Sequence, residues 1–255
     1  MNEMENLAVW LLVIAVAVRG LAMALKRERG VWLGAVARLG AWIALASSMW
    51  GATAASGLWS ALNFPLLIQS LVLAVWASDG VLSWRFRPVV IVPVVDLISL
   101  TLIVVGAFST QPGRVSSPCL QSLPLWVGQW LLLVIGSGAA IVAGGNALTL
   151  TIDAALAGRL GQFARRDRTA LSVMAREANQ LTLAALGGGL VLGLGWAWYQ
   201  GDPRLLWMTS AWLTAAMAFT ALSLSESRER WFTWLTVLTA AVALSSLLAV
   251  PGLRP

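Results

Sequence analysis

"PLWVGQWLLLVIGSGAAIVAGGNALTLT", residues 124–151, decides the fold. It runs 28 residues without a charged side chain. A helix needs about 20 apolar residues to cross a bilayer. Within lipid, every backbone polar group must be satisfied internally, so such a segment is a helix. Working outward in both directions, seven more apolar segments appear, at roughly 7–25, 31–51, 58–78, 88–109, 181–200, 204–224 and 231–250. Between them stand turn and charge signals: KRERG, SDGVLSWRFRP, STQPGRVSSP, QGDPR and SESRER. Only the break near GATAAS, between the second and third segments, is weakly marked. The expected fold is an all-α polytopic membrane protein of eight transmembrane helices.

Composition agrees. Of 255 residues, 59% are hydrophobic and 11% charged, and the mean hydropathy is +0.80. A soluble domain carries about twice that charged fraction. The opening MNEMEN is acidic, unlike the basic start of a secretory signal. The first apolar run is therefore expected to be kept as a span.

The formal charge of +6 is a matter of topology. With the N-terminus outside, twelve basic residues fall on the cytoplasmic side: Lys26, Arg27, Arg29, Arg85, Arg87, Arg159, Arg165, Arg166, Arg168, Arg176, Arg228 and Arg230. Only Arg114, Arg204 and Arg254 fall outside. This asymmetry sets orientation in the inner (cytoplasmic) membrane, with both termini outside. The bilayer is the expected partner, and nucleic acid is not. The whole chain, 1–255, reads as one membrane domain, with residues 1–122 holding the first four spans. Residues 154–180 read as a basic cytoplasmic segment, an extension of the fifth helix followed by an interfacial helix.

Small residues mark close helix contacts. Gly136, Ala140 and Gly144 repeat every four positions in the fifth span, and Gly189 and Gly193 in the sixth. Such faces let backbones approach.

Three charges fall inside spans: Arg19, Arg38 and Asp96. Each is about 10 Å from its cytoplasmic helix end by helix rise. Intramembrane charges pair or line wet cavities. Asp96 is expected to pair with Arg19 or Arg38, tying the fourth span to the first or second. The other reading is that both arginines snorkel to the cytoplasmic surface.

The outer turn "GWAWYQGDPRLLW", residues 195–207, concentrates aromatic side chains. Trp126, Trp130, Trp196, Trp198, Tyr199, Trp207 and Trp212 fall at or near the outer surface, with Trp50 and Trp59 at the same level. Trp32, Trp76, Trp84, Trp231 and Trp234 fall at the inner one. Tryptophan favours both membrane interfaces. The sharper reading is an aromatic platform for a flat ligand or a partner, shaped by Asp202 and Pro203, with Pro203 opening the seventh span.

The order of residues in "GLGWAWYQGDPRLLWMTSAWL" resembles the tryptophan-rich WWD region of the cytochrome c assembly family, the multi-span haem-handling proteins of bacterial and plastid membranes. Asp202, Pro203, Trp207 and Trp212 match the family spacing, with Arg204 in the place of a lysine. "LSVMAREANQLTLAALGGGL" looks like the family's approach to this span. The resemblance covers about residues 123–250. It implies a role in cytochrome c and haem biogenesis, beside cytochrome c maturation proteins or other membrane subunits, and contact with haem at the outer aromatic surface.

One departure is decisive for chemistry. Family members that handle haem use histidines, and this chain has none. Trp126 stands near one such position and Thr220 near another. Haem iron is normally held by His, Met, Cys or Tyr, which leaves Met208, Met217 and Tyr199 as the nearest substitutes. The residues alone predict no cofactor and no metal site. Cys119 is the single cysteine and forms no internal disulfide. With no nucleophile–base pair and no second carboxylate within helical reach of Asp96, Asp153 or Asp202, no enzyme is expected. The leading expectation is a non-catalytic scaffold or partner subunit of cytochrome c assembly type. The alternatives are a structural subunit of a respiratory or photosynthetic complex, a membrane regulator of haem synthesis acting through 154–180, and, less favoured, a small-molecule transporter.

Overall fold

The computed structural model describes residues 7, 9–18, 28–56, 64–86, 94–108, 123–155, 161–200 and 203–248; some side chains within these ranges are not described. Eight helices lie among the described residues: α1 (Val9–Val18), α2 (Glu28–Ser56), α3 (Phe64–Phe86), α4 (Val94–Phe108), α5 (Leu123–Ala155), α6 (Gly161–Gln200), α7 (Pro203–Ser225) and α8 (Glu229–Leu248). Four of them contain stretches long and apolar enough to cross a membrane: Leu33–Gly51, Leu66–Arg85, Val127–Ile152 and Arg168–Gly195.

Helix α5 is the axis of the fold. Of its spanning stretch 78% is buried, against 28% for that of α2. It packs on α6 and α8, and α7 closes a four-helix ring between them. On its other side lie α3 and α4, and α2 leans on α3 from outside. The side-chain pairs fix the directions. Gly128 meets Leu192 and Gly136 meets Leu186, so α5 and α6 are antiparallel. Ser137 donates to the Ala243 carbonyl, while Gly144 meets Ala240, so α8 also opposes α5. Gly106 meets Ile68 and Gly145 meets Val95, so α4 opposes both α3 and α5.

A helix surrounded on all sides needs small residues on all sides. Gly136 faces α6, Gly138 faces α3, Gly144 faces α8 and Gly145 faces α4. At Gly138 the approach is closest to backbone: a Cβ there would lie 3.0 Å from the Ala74 carbonyl carbon and the Val75 nitrogen. The four-residue repeat Gly136–Ala140–Gly144 is thus part of a wider set, not one seam.

Two expectations are revised. Residues 161–180 do not form a separate interfacial helix; α6 runs unbroken for 40 residues from Gly161 to Gln200. Its apolar period, Leu171, Met174 and Ala178, stays in phase with Ala185 and Leu186, and all five are buried. The third span does not end near residue 78. Helix α3 continues through Asp79-Gly80 to Phe86, because Asp79 is buried in the bundle rather than turned to water.

Candidate functional site

Only residues 201 and 202 separate the two helices of the tryptophan-rich stretch. Helix α6 ends at Gln200 and α7 starts at Pro203. Proline suits the first helical position, where its missing N–H is not needed. The start of α5 reaches the same end, since Gly128 and Gln129 pack against Leu192 and Gly193. Trp198 stands out from the bundle at 82% exposure, and Trp212 is 43% exposed on α7. Trp130 instead packs partly buried against the core. Trp130 and Trp198 therefore point differently: one supports the bundle, the other faces its surroundings. The side chains of Trp126, Trp196, Tyr199, Pro203, Arg204 and Trp207 lie outside the described residues, as does the whole of Asp202. Thr220 is fully buried, and its hydroxyl donates back to the Ala216 carbonyl at 2.7 Å.

The second site is ionic. Arg38 of α2 meets two carboxylates. Its Nη1 donates to Asp79 Oδ2 at 2.5 Å, and its Nε lies 3.2 Å from Asp96 Oδ1. Asp96 is fully buried, and Asp79 and Arg38 nearly so. Arg38 is ten residues into α2, about 15 Å along it, whereas Asp96 sits in the first turn of α4. The Trp76 ring lies 5.9 Å from Arg38 Cζ, within cation–π range. Arg19 lies outside the described residues.

Sequence reasoning missed two members of this cluster. Asp79, followed by glycine, reads as a turn, yet it shares Arg38 with Asp96 across helices. The carboxylates therefore do converge in space, although neither is within helical reach of the other in sequence. Trp76, read as an inner-surface tryptophan, is only 4% exposed. The available signal was spacing: Trp76 and Asp79 are three apart, on one face of a continuous apolar helix.

A third polar cluster is neutral. Asn179 of α6 donates through Nδ2 to Ser223 Oγ at 2.9 Å and Thr236 Oγ1 at 3.0 Å, joining α6, α7 and α8. Nearby, Arg176 donates to the Leu224 and Glu226 carbonyls and stacks 4.6 Å from the Phe232 ring. These carbonyls end α7, where a cation is favoured by the helix dipole. Among the described residues no group of three His, Cys, Asp or Glu side chains is placed to hold a metal ion.

Compared with protein-family models, curated proteins and solved structures, the chain matches none.

Proposed function

We propose that the chain is a multi-pass protein of the inner membrane, with eight spans and both termini outside, that serves cytochrome c and haem biogenesis as a non-catalytic scaffold or partner subunit of cytochrome c assembly type. The observation that carries this reading is the position of the tryptophan-rich Asp-Pro turn. It joins α6 to α7 at one end of the bundle, beside the start of α5. Arg85, Arg168, Arg228 and Arg230 occupy the opposite end, as the positive-inside rule requires of a cytoplasmic face. With the arginine end read as cytoplasmic, the residues that resemble the WWD region would lie on the outer side, which supports the family reading. The missing histidines argue for a scaffold over a haem-attaching enzyme.

Two measurements test it. Removing the gene is expected to lower covalently haem-bearing cytochrome c in the membranes several-fold; an unchanged level contradicts a role in biogenesis. The protein purified in mild detergent is expected to be colourless before and after dithionite. A Soret band at near-stoichiometric haem would contradict the ligand-free scaffold and direct attention to Met208, Met217 and Tyr199.

A regulator of haem synthesis is the second reading, favoured by the length of α6. Forty residues span about 60 Å, about twice the hydrocarbon core. The N-terminal part of α6 carries Arg165, Arg166 and Arg168. Replacing these three arginines is expected to abolish recovery of a cytoplasmic partner if this reading holds, and to leave it unchanged if it does not.

A further inference from the structure

The Arg38 cluster is unbalanced in two respects. One guanidinium faces two carboxylates, so the formal charge is one negative in excess. It also has donors left over. A guanidinium carries five N–H groups in a fixed planar fork. Nη1 donates to Asp79 and Nε is held 3.2 Å from Asp96 Oδ1 as an ion pair, but Nη2 is buried with no hydrogen-bond partner. The Trp76 indole Nε1, on a side chain more than nine-tenths buried beside Arg38, has no partner either. Buried polar groups are almost always hydrogen-bonded, so each exception asks for an explanation.

The chemistry narrows the occupant. Two unpaired donors repel a cation. The surplus carboxylate repels an anion. A neutral oxygen acceptor suits both conditions. We propose that Arg38, Trp76, Asp79 and Asp96 form a binding site, within the helical bundle, for one neutral oxygen-bearing small molecule whose oxygen accepts from Arg38 Nη2 and the Trp76 indole N–H. Water and the carbonyl of a lipid-soluble quinone share this chemistry. Water has hydrogens to return to a carboxylate; a carbonyl has none. The proposal is independent of the cytochrome c assembly reading, because that reading concerns the opposite half of the chain.

The test uses the full chain in mild detergent and ultraviolet resonance Raman spectra, in which an indole band reports N–H hydrogen bonding. The Trp76 contribution is the difference between wild type and Trp76→Phe, or Trp76→Tyr should the phenylalanine variant fail to fold. A hydrogen-bonded Trp76 band without additive supports the site with water as occupant. A band that shifts to the hydrogen-bonded position only on adding a short-chain decyl benzoquinone supports the site with a carbonyl occupant. A free indole N–H under both conditions overturns the proposal. Arg38→Lys keeps the charge and removes Nη2. In the water arm it is expected to shift the Trp76 band towards the free position, and in the carbonyl arm to weaken quinone binding at least tenfold. An unaltered band and affinity in Arg38→Lys would contradict the part assigned to Arg38.

Discussion

The two halves of the molecule bury polar groups in opposite ways. In the N-terminal half, α2, whose spanning stretch is only 28% buried, is tied to α3 and α4 by charge: one guanidinium and two carboxylates. In the C-terminal half, α6, α7 and α8 are joined by neutral groups, Asn179, Ser223 and Thr236, inside a closely packed ring. The contrast follows from packing. The central helices have glycines that let backbones touch, so dispersion does most of the work and hydrogen bonds add modestly. Helix α2 is peripheral and presents Leu33, Val36, Leu39, Ile43 and Trp50 outward. Beside the buried Ala41, Ala44 and Leu45, Arg38 is its charged tie to the bundle.

The sharpest way to break this contrast is Arg38→Ala. It strands two buried carboxylates, and removing one partner of a buried pair costs about 3–5 kcal/mol. The variant is expected to lose that much in detergent unfolding, with α2 released first, seen as early proteolysis between α2 and α3. Next is Gly138→Leu, which drives a side chain into the Ala74–Val75 backbone. Overpacking of this kind costs about 1–3 kcal/mol, read as a lower melting temperature.

How far each half was legible in the sequence differs for the same physical reason. Eight apolar segments give the helices, because hydropathy alone signals a membrane helix. Arg38 and Asp96 stand out because a charge inside an apolar run is conspicuous. Asp79 does not, since an Asp-Gly pair beside a polar stretch imitates a turn, and only the burial of its neighbours keeps the helix going. Asn179 is hidden likewise in a stretch whose charges imitate a soluble linker. Around the tryptophan-rich stretch the order of tryptophans is readable, but their directions depend on packing: Trp130 inward, Trp198 outward.

Smaller effects sharpen the comparison. Asn179→Ala removes two interhelical hydrogen bonds, while Ser223 keeps its own bond to the Thr220 carbonyl. At about 0.6 kcal/mol per bond in membrane helices, a loss of about 1 kcal/mol is expected in the same unfolding assay. Arg85→Ala should be nearly silent, below about 0.5 kcal/mol, because its 3.9 Å approach to Glu177 is solvent-exposed.

The most direct measurement compares the unfolding of Arg38→Met with that of the triple variant Arg38→Met, Asp79→Asn, Asp96→Asn. If charge ties α2 to the bundle, the single variant falls well below wild type and the triple recovers part of the loss, because no carboxylate is left without its cation. A triple variant as unstable as the single one, or less stable, would contradict the ionic attachment of α2.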